Sequence, residues 1–202
     1  MEFINNGLLD KDKIKELKQV FAEGGPYRHL FIEGFLIDDK AREILKELNK
    51  EEFEHKESDL FSFSQTKDFV NLGDGILKEF HDFFGSEEFR NWIEEISGIK
   101  LEGVVDMSGS LYKSCDYLLC HDDRLEGRKI AYVYYLSENF NREDGGAFVM
   151  FYSADGKAGE IKKKILPVCN SFLMFEVSEK SLHEVEEVLS DKKRYAIGGW
   201  LR

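Results

Sequence analysis

Apolar residues first recur at helical spacing. Ile14, Leu17, Val20 and Phe21 share one face of a helix expected over 11–23, and Gly24-Gly25-Pro26 stops the pattern. His29-Leu30-Phe31-Ile32 reads as a short strand. A second helix, capped by Asp38 or Asp39, turns Ala41, Ile44, Leu45 and Leu48 inward. Residues 50–74 are mixed and polar and read as loop, although Phe53, Leu60, Phe61 and Phe63 must pack somewhere. Two more helices are expected. One, near 75–84, carries Ile76, Leu77, Phe80, Phe83 and Phe84. The other, near 86–97, carries Phe89, Trp92, Ile93 and Ile96, with Ser86 as N-cap and Gly98 as its end.

After Gly98 the period shortens. Runs rich in Val, Tyr, Phe and Ile alternate with Gly, Asp, Asn and Ser. Strands are expected near 101–106, 109–113, 116–122, 129–136, 146–152, 160–166, 171–177, 181–187 and 194–201. Many short strands at such spacing suit a β-sandwich, barrel or jelly roll. Helices lead and strands follow, so the fold class is α+β with helices packed on one face of a sheet. Nothing divides the halves as a linker would. One domain over 1–202 is expected, with 1–98 mainly helical support and 99–202 the β core.

Composition narrows the picture. The 202 residues include 40 Asp plus Glu against 28 Lys plus Arg, a formal net charge of −12. That balance argues against direct nucleic-acid binding, because phosphates are repelled at long range. Apolar runs are too short to span a bilayer, so no membrane partner is expected. The start of the chain has no basic region followed by an apolar run, and the three cysteines form no framework, so a reducing cytoplasm is the expected location.

The chemistry concentrates in Tyr117-Leu118-Leu119-Cys120-His121-Asp122-Asp123. On a strand, His121 and Asp123 point the same way, and Cys120 points to the opposite face. His183 follows in another strand candidate. Two imidazoles and one carboxylate can occupy one face of an octahedron, as in non-haem Fe(II) oxygenases, and leave adjacent positions open. A zinc hydrolase uses similar ligands, and a metal-free binding module of the cupin type is a further alternative. His55-Lys56-Glu57 has the same form but no alternating apolar neighbours, so it reads as surface. His29 and His81 read as structural or surface residues, and Lys162-Lys163-Lys164 as a solvated turn or edge. Arg194 opens the last apolar strand. If buried it needs an anion, and a dicarboxylate co-substrate would supply one through a two-pronged hydrogen bond. An exposed Arg is the plainer alternative.

Taken together, His121-x-Asp123, His183 and Arg194 resemble the Fe(II)- and 2-oxoglutarate-dependent dioxygenases, in their prolyl-4-hydroxylase-like branch. Leu111-Tyr112 through Asp123, Glu57-Ser58-Asp59-Leu60-Phe61, Gly145-Gly146-Ala147-Phe148, Phe175-Glu176-Val177 and Gly198-Gly199-Trp200 are similar to runs in the ribosomal prolyl hydroxylases of that branch. The resemblance covers roughly 26–202 and implies a double-stranded β-helix with the metal near one mouth. It implies that His121, Asp123 and His183 bind Fe(II), and that Arg194 binds the distal carboxylate of 2-oxoglutarate. Tyr112 and Tyr135 match pocket tyrosines of the family, and simple sheet packing is the alternative for both.

The implied reaction is a hydroxylation using O2, coupled to decarboxylation of 2-oxoglutarate to succinate and CO2, with ascorbate as reductant. The implied substrate is a prolyl residue of a protein, a ribosomal protein among the candidates; a free amino acid or other small molecule is the alternative. Two departures stand out. Eukaryotic members carry a second β-helix domain after the first, and Ala196 stands where much of the wider family has Ser.

Overall fold

The computed structural model describes residues 1–154 and 156–202. Among the described residues four α-helices form: α1 (Lys11–Glu23), α2 (Asp38–Leu48), α3 (Ile76–Gly85) and α4 (Glu87–Ser97). Asp10 caps α1, accepting hydrogen bonds from the amides of Asp12 and Lys13. Ser86 caps α4 through the Phe89 amide, and Gly98 ends it at φ 71°. Two details depart from expectation. No side chain caps α2, because Asp38 and Asp39 already lie in its first turn, where their charge still suits the helix dipole. Val20 is 46% exposed, so the buried stripe of α1 is Leu17 and Phe21.

Among the described residues eleven strands build one rolled antiparallel sheet. They are β1 (His29–Glu33), β2 (Glu54–Ser58), β3 (Phe61–Gln65), β4 (Val105–Tyr112), β5 (Tyr117–His121), β6 (Ile130–Tyr135), β7 (Phe148–Ala154), β8 (Lys157–Ile165), β9 (Ser171–Glu176), β10 (His183–Val185) and β11 (Arg194–Leu201). The order is β1-β9-β6-β11-β4-β3-β5-β10-β7-β8, with β2 paired to β3. This is the double-stranded β-helix with helices on one side.

Three of these strands come from the first 98 residues. Residues 54–65, expected as loop, form a hairpin instead. Ser alternates with Phe61 and Phe63, and β2 is exposed throughout, so neither strand shows an apolar run. β3 joins the sheet by pairing with β4 and β5, and Phe63 stacks on Tyr112 with ring centroids 5.0 Å apart. The two strands expected over 101–106 and 109–113 are a single β4, since Gly109 leaves the ladder to β11 unbroken. A Cβ at Gly109 would lie 2.6 Å from Leu48, so the small residue serves helix packing rather than a turn. Lys162, Lys163 and Lys164 lie on β8, exposed and at one end of the strand order, which suits a guarded edge.

The helices cover one face of β6, β9, β11 and β4. Tyr132, Tyr134, Phe172, Met174 and Ile197 point into that interface and meet Phe35, Phe80, Phe84 and Phe89. Phe35 stacks on Phe172 at 4.2 Å. The opposite face of the same strands lines the interior of the roll.

Candidate active site

β5 and β10 run antiparallel, with His121 and His183 directly opposite each other. Their rings lie 4.2 Å apart. β5 ends at His121, and Asp123 lies beyond it at φ 63°. The carboxylate therefore reaches the histidines through a left-handed turn, not through strand alternation as expected. Asp tolerates that conformation better than bulkier residues do. Its oxygens lie 3.5 Å from His121 Nε2 and 3.4 Å from His183 Nε2. One donor atom from each of the three residues falls within 4.8 Å of the others.

The chemistry of these donors fits a divalent metal. His121 Nδ1 lies 2.9 Å from the Leu119 carbonyl and His183 Nδ1 2.7 Å from the Ser181 carbonyl. A carbonyl only accepts, so each Nδ1 carries a hydrogen; each Nε2 faces Asp123, and a metal would replace any proton held there. Metal-bound histidines are oriented in this way. Burial pushes the Asp123 carboxyl up, but hydrogen bonding and charge from the two histidines outweigh it and hold the group well below the usual carboxylate range. Burial lowers the His121 imidazole, and Asp123 more than reverses this, leaving a net upward shift. Phe148 and Phe175 wall the His183 ring, each at 4.8 Å. Cys120 turns the other way and packs with Val149, Phe151 and Leu182.

Arg194 is 2% exposed. It opens β11 opposite Tyr112 in β4. Its Nε donates to the Gly146 carbonyl at 2.7 Å. The guanidinium carbon lies 4.9 Å from the Tyr112 ring centre and 5.2 Å from that of Tyr135. Among the described residues no acidic side chain pairs with it. A buried cation without an acidic partner is costly, so the arrangement could hold an anionic ligand. Burial pushes the Tyr135 phenol up to about 12, against the opposing charge of Arg194. Its hydroxyl has no hydrogen-bond partner among the described residues.

His121, Asp123, His183, Tyr112 and Arg194 line one cavity; Tyr135 packs beside Arg194, outside the lining. The other three histidines are elsewhere. His55 is exposed on β2, His81 lies on α3, and His29 is buried on β1 with Nδ1 against the Tyr27 carbonyl. Sequence reasoning missed Gln65, Ser108 and Arg128. Gln65 Nε2 donates to Ser108 Oγ at 2.8 Å on the cavity wall. Arg128 stacks over Trp200 at 3.3 Å and donates to the Asp123 carbonyl. Trp200 also borders the cavity. A signal existed for it: period two from Arg194 runs through Ala196 and Gly198 to Trp200 on one face. Gln65 carried none, because its hairpin read as loop.

Comparison with known proteins agrees with this geometry. The sequence model of the 2OG-Fe(II) oxygenase superfamily matches residues 107–202, the stretch holding all six candidate residues. Prolyl 3-hydroxylase OGFOD1 of Xenopus laevis is 40% identical over 185 residues, covering 90% of this chain and 36% of that protein. Prolyl 3,4-dihydroxylase OGFOD1 of Ostreococcus tauri is 38% identical, covering 87% of this chain and 38% of that protein. The chain thus spans somewhat over a third of the length of these curated relatives. A Pseudomonas putida prolyl-4-hydroxylase structure superposes with a TM-score of 0.73 at 21% identity, over 92% of this chain and 98% of that one, and supports the fold. No helix among the described residues is long and apolar enough to cross a membrane. Residues 107–202 thus belong to the 2OG-Fe(II) oxygenase superfamily, and the relatives that the chain matches over about nine-tenths of its length carry the names of prolyl hydroxylases.

Proposed function

We propose that this chain hydroxylates prolyl residues of a protein substrate, using Fe(II), 2-oxoglutarate and O2. The observation that carries this reading is a buried arginine, with no acidic side chain paired to it among the described residues, set in the same cavity as a His-Asp-His donor set. The names of the relatives at 38–40% identity support prolyl hydroxylation, with C3 as the favoured position. A zinc hydrolase leaves the Arg194 guanidinium without a purpose.

In this reading His121, Asp123 and His183 hold the iron through two Nε2 atoms and a carboxylate oxygen. Bound iron with 2-oxoglutarate and O2 supplies the oxidising power that couples decarboxylation to hydroxylation. Arg194 binds the distal carboxylate of 2-oxoglutarate through its terminal nitrogens. Tyr135, with its free hydroxyl, and Tyr112 brace that guanidinium. Phe148 and Phe175 keep water from the inner wall, which strengthens each charge interaction inside. The acidic chain suits a basic substrate, a ribosomal protein among the candidates. Ascorbate serves as reductant, and three free cysteines suit a reducing cytoplasm.

The test is incubation of the protein with Fe(II), 2-oxoglutarate and ascorbate in air, alone and with proline-containing peptides of ribosomal proteins. Succinate should form, and a peptide proline should gain one oxygen. Absence of both 2-oxoglutarate binding and succinate would overturn the oxygenase reading. Succinate coupled only to free amino acids would replace the protein substrate by a small molecule.

A further inference from the structure

We propose that Gly146 and the Asp144–Lys192 ion pair are positioning groups for the co-substrate: they aim the Arg194 guanidinium. The inference rests on the reading of Arg194 as the carboxylate site.

The loop between β6 and β7 ends in Asp144-Gly145-Gly146, and Lys192 stands two residues before Arg194. The Gly146 carbonyl accepts Arg194 Nε at 2.7 Å. That bond occupies Nε and leaves the two terminal nitrogens for a ligand. Gly146 adopts φ +64°, where side chains are strained. A Cβ there would lie 3.1 Å from Arg194 Cδ and 3.2 Å from both Phe140 and Val188. The aliphatic stem of the arginine is therefore seated on a bare backbone. At Gly145 a Cβ would lie 2.1 Å from the Glu187 carbonyl, so that close approach also requires glycine.

The turn is fixed to the segment that leads into β11. The Gly146 amide donates to the Glu187 carbonyl at 3.0 Å, and the Leu189 amide to the Asp144 carbonyl at 2.8 Å. Asp144, itself buried, accepts from the Asn141 amide and from Lys192 Nζ, both at 2.8 Å. Lys192 Nζ also donates to the Asn139 carbonyl at 2.6 Å. A single lysine, its side chain 39% exposed, thus pins the loop at two points. An ordinary surface pair contributes little to stability. Here the pair holds the carbonyl that sets a buried arginine, so its loss should appear in ligand affinity more than in folding.

The readout is calorimetric titration of the manganese-loaded protein with 2-oxoglutarate and with 2-oxobutyrate, which lacks the distal carboxylate. Gly146→Ala should weaken 2-oxoglutarate roughly tenfold or more, since small misplacements of an aimed group are costly. Lys192→Met should weaken it by roughly threefold to tenfold, and Lys192→Arg should restore it. In each weakened variant the affinity for 2-oxobutyrate should hold, so discrimination between the two acids falls. Unchanged discrimination in Lys192→Met, or equal loss of both acids, would overturn the inference. This holds even where Gly146→Ala fails to fold. A wild-type protein that does not discriminate between the acids would instead overturn the reading of Arg194 itself.

Discussion

The two faces of β6, β9 and β11 are built on opposite terms. Toward the helices, the hydroxyls of the two fully buried tyrosines are satisfied. Tyr132 Oη donates to the Asp106 carbonyl and Tyr134 Oη to Asn170 Oδ1, each at 3.0 Å. Toward the cavity, among the described residues, Tyr135 Oη and Trp200 Nε1 have no partner and Arg194 pairs with no acidic side chain. Buried polar groups are nearly always bonded, so a cluster of unmet capacity marks where a ligand belongs. On the proposed reading, stability resides on the first face and chemistry on the second, although single residues separate them along each strand.

Substitutions on the two faces should therefore fail in different ways. Asp123→Ala should reduce succinate formation to background and abolish the rise in Tm on adding Fe(II) or Mn(II). For a metal at about a hundred times its Kd that rise corresponds to about 2.7 kcal/mol. Folding without metal should persist. A variant that keeps the metal-induced shift would remove Asp123 from the ligand set.

Phe172→Ala should do the reverse. The ring is fully buried against Phe35, Phe84 and Tyr132. Its loss should cost about 3–5 kcal/mol in denaturant unfolding. Metal affinity of the folded fraction should remain. A large fall in metal affinity would show that the two faces are not separable.

Arg194→Lys is subtler. Lysine keeps the charge but loses both the planar fork and the bond to Gly146. The KM for 2-oxoglutarate should rise by about tenfold or more, near 1.4 kcal/mol, with iron affinity unchanged. Equal loss of iron and 2-oxoglutarate would contradict the role given to Arg194.

The helix-covered face was the more legible in the sequence, because packing leaves a periodic trace. Phe80, Phe83 and Phe84 repeat at helical spacing and lie where that spacing puts them. The span of β11 is matched end to end, since its apolar run is continuous. The cavity face depends on turns and long-range pairing, which leave weaker traces. Asp123 arrives by a positive φ that no alternation rule shows. The β2–β3 hairpin has a polar outer face, and Phe63 gains meaning only beside Tyr112. Gly145 and Gly146 read as a family motif, but their closeness to Glu187 and Arg194 exists only once residues 144–146 and 187–194 meet in space.

The smallest effect tests a buried polar group away from both faces. His29 on β1 has Nδ1 3.0 Å from the Tyr27 carbonyl and Nε2 3.1 Å from Lys163 Nζ on β8. A carbonyl accepts and an ammonium donates, so the ring is neutral with its hydrogen on Nδ1. Burial lowers this imidazole below its ordinary range, Lys163 adds to that, and the Tyr27 carbonyl opposes it. The unfolded chain takes up a proton near pH 6.5, where the folded chain still refuses it. Stability should therefore fall as pH drops below about 6.5, by at most about 1.4 kcal/mol per pH unit from this one group. Other groups titrate in the same window, so the measurement is a difference. Denaturant unfolding of wild type and His29→Gln across pH 5 to 7.5 should converge toward acid, because glutamine has no proton to refuse. Parallel curves would mean that His29 ionises in the folded chain as readily as in water, and that Lys163 does not face it.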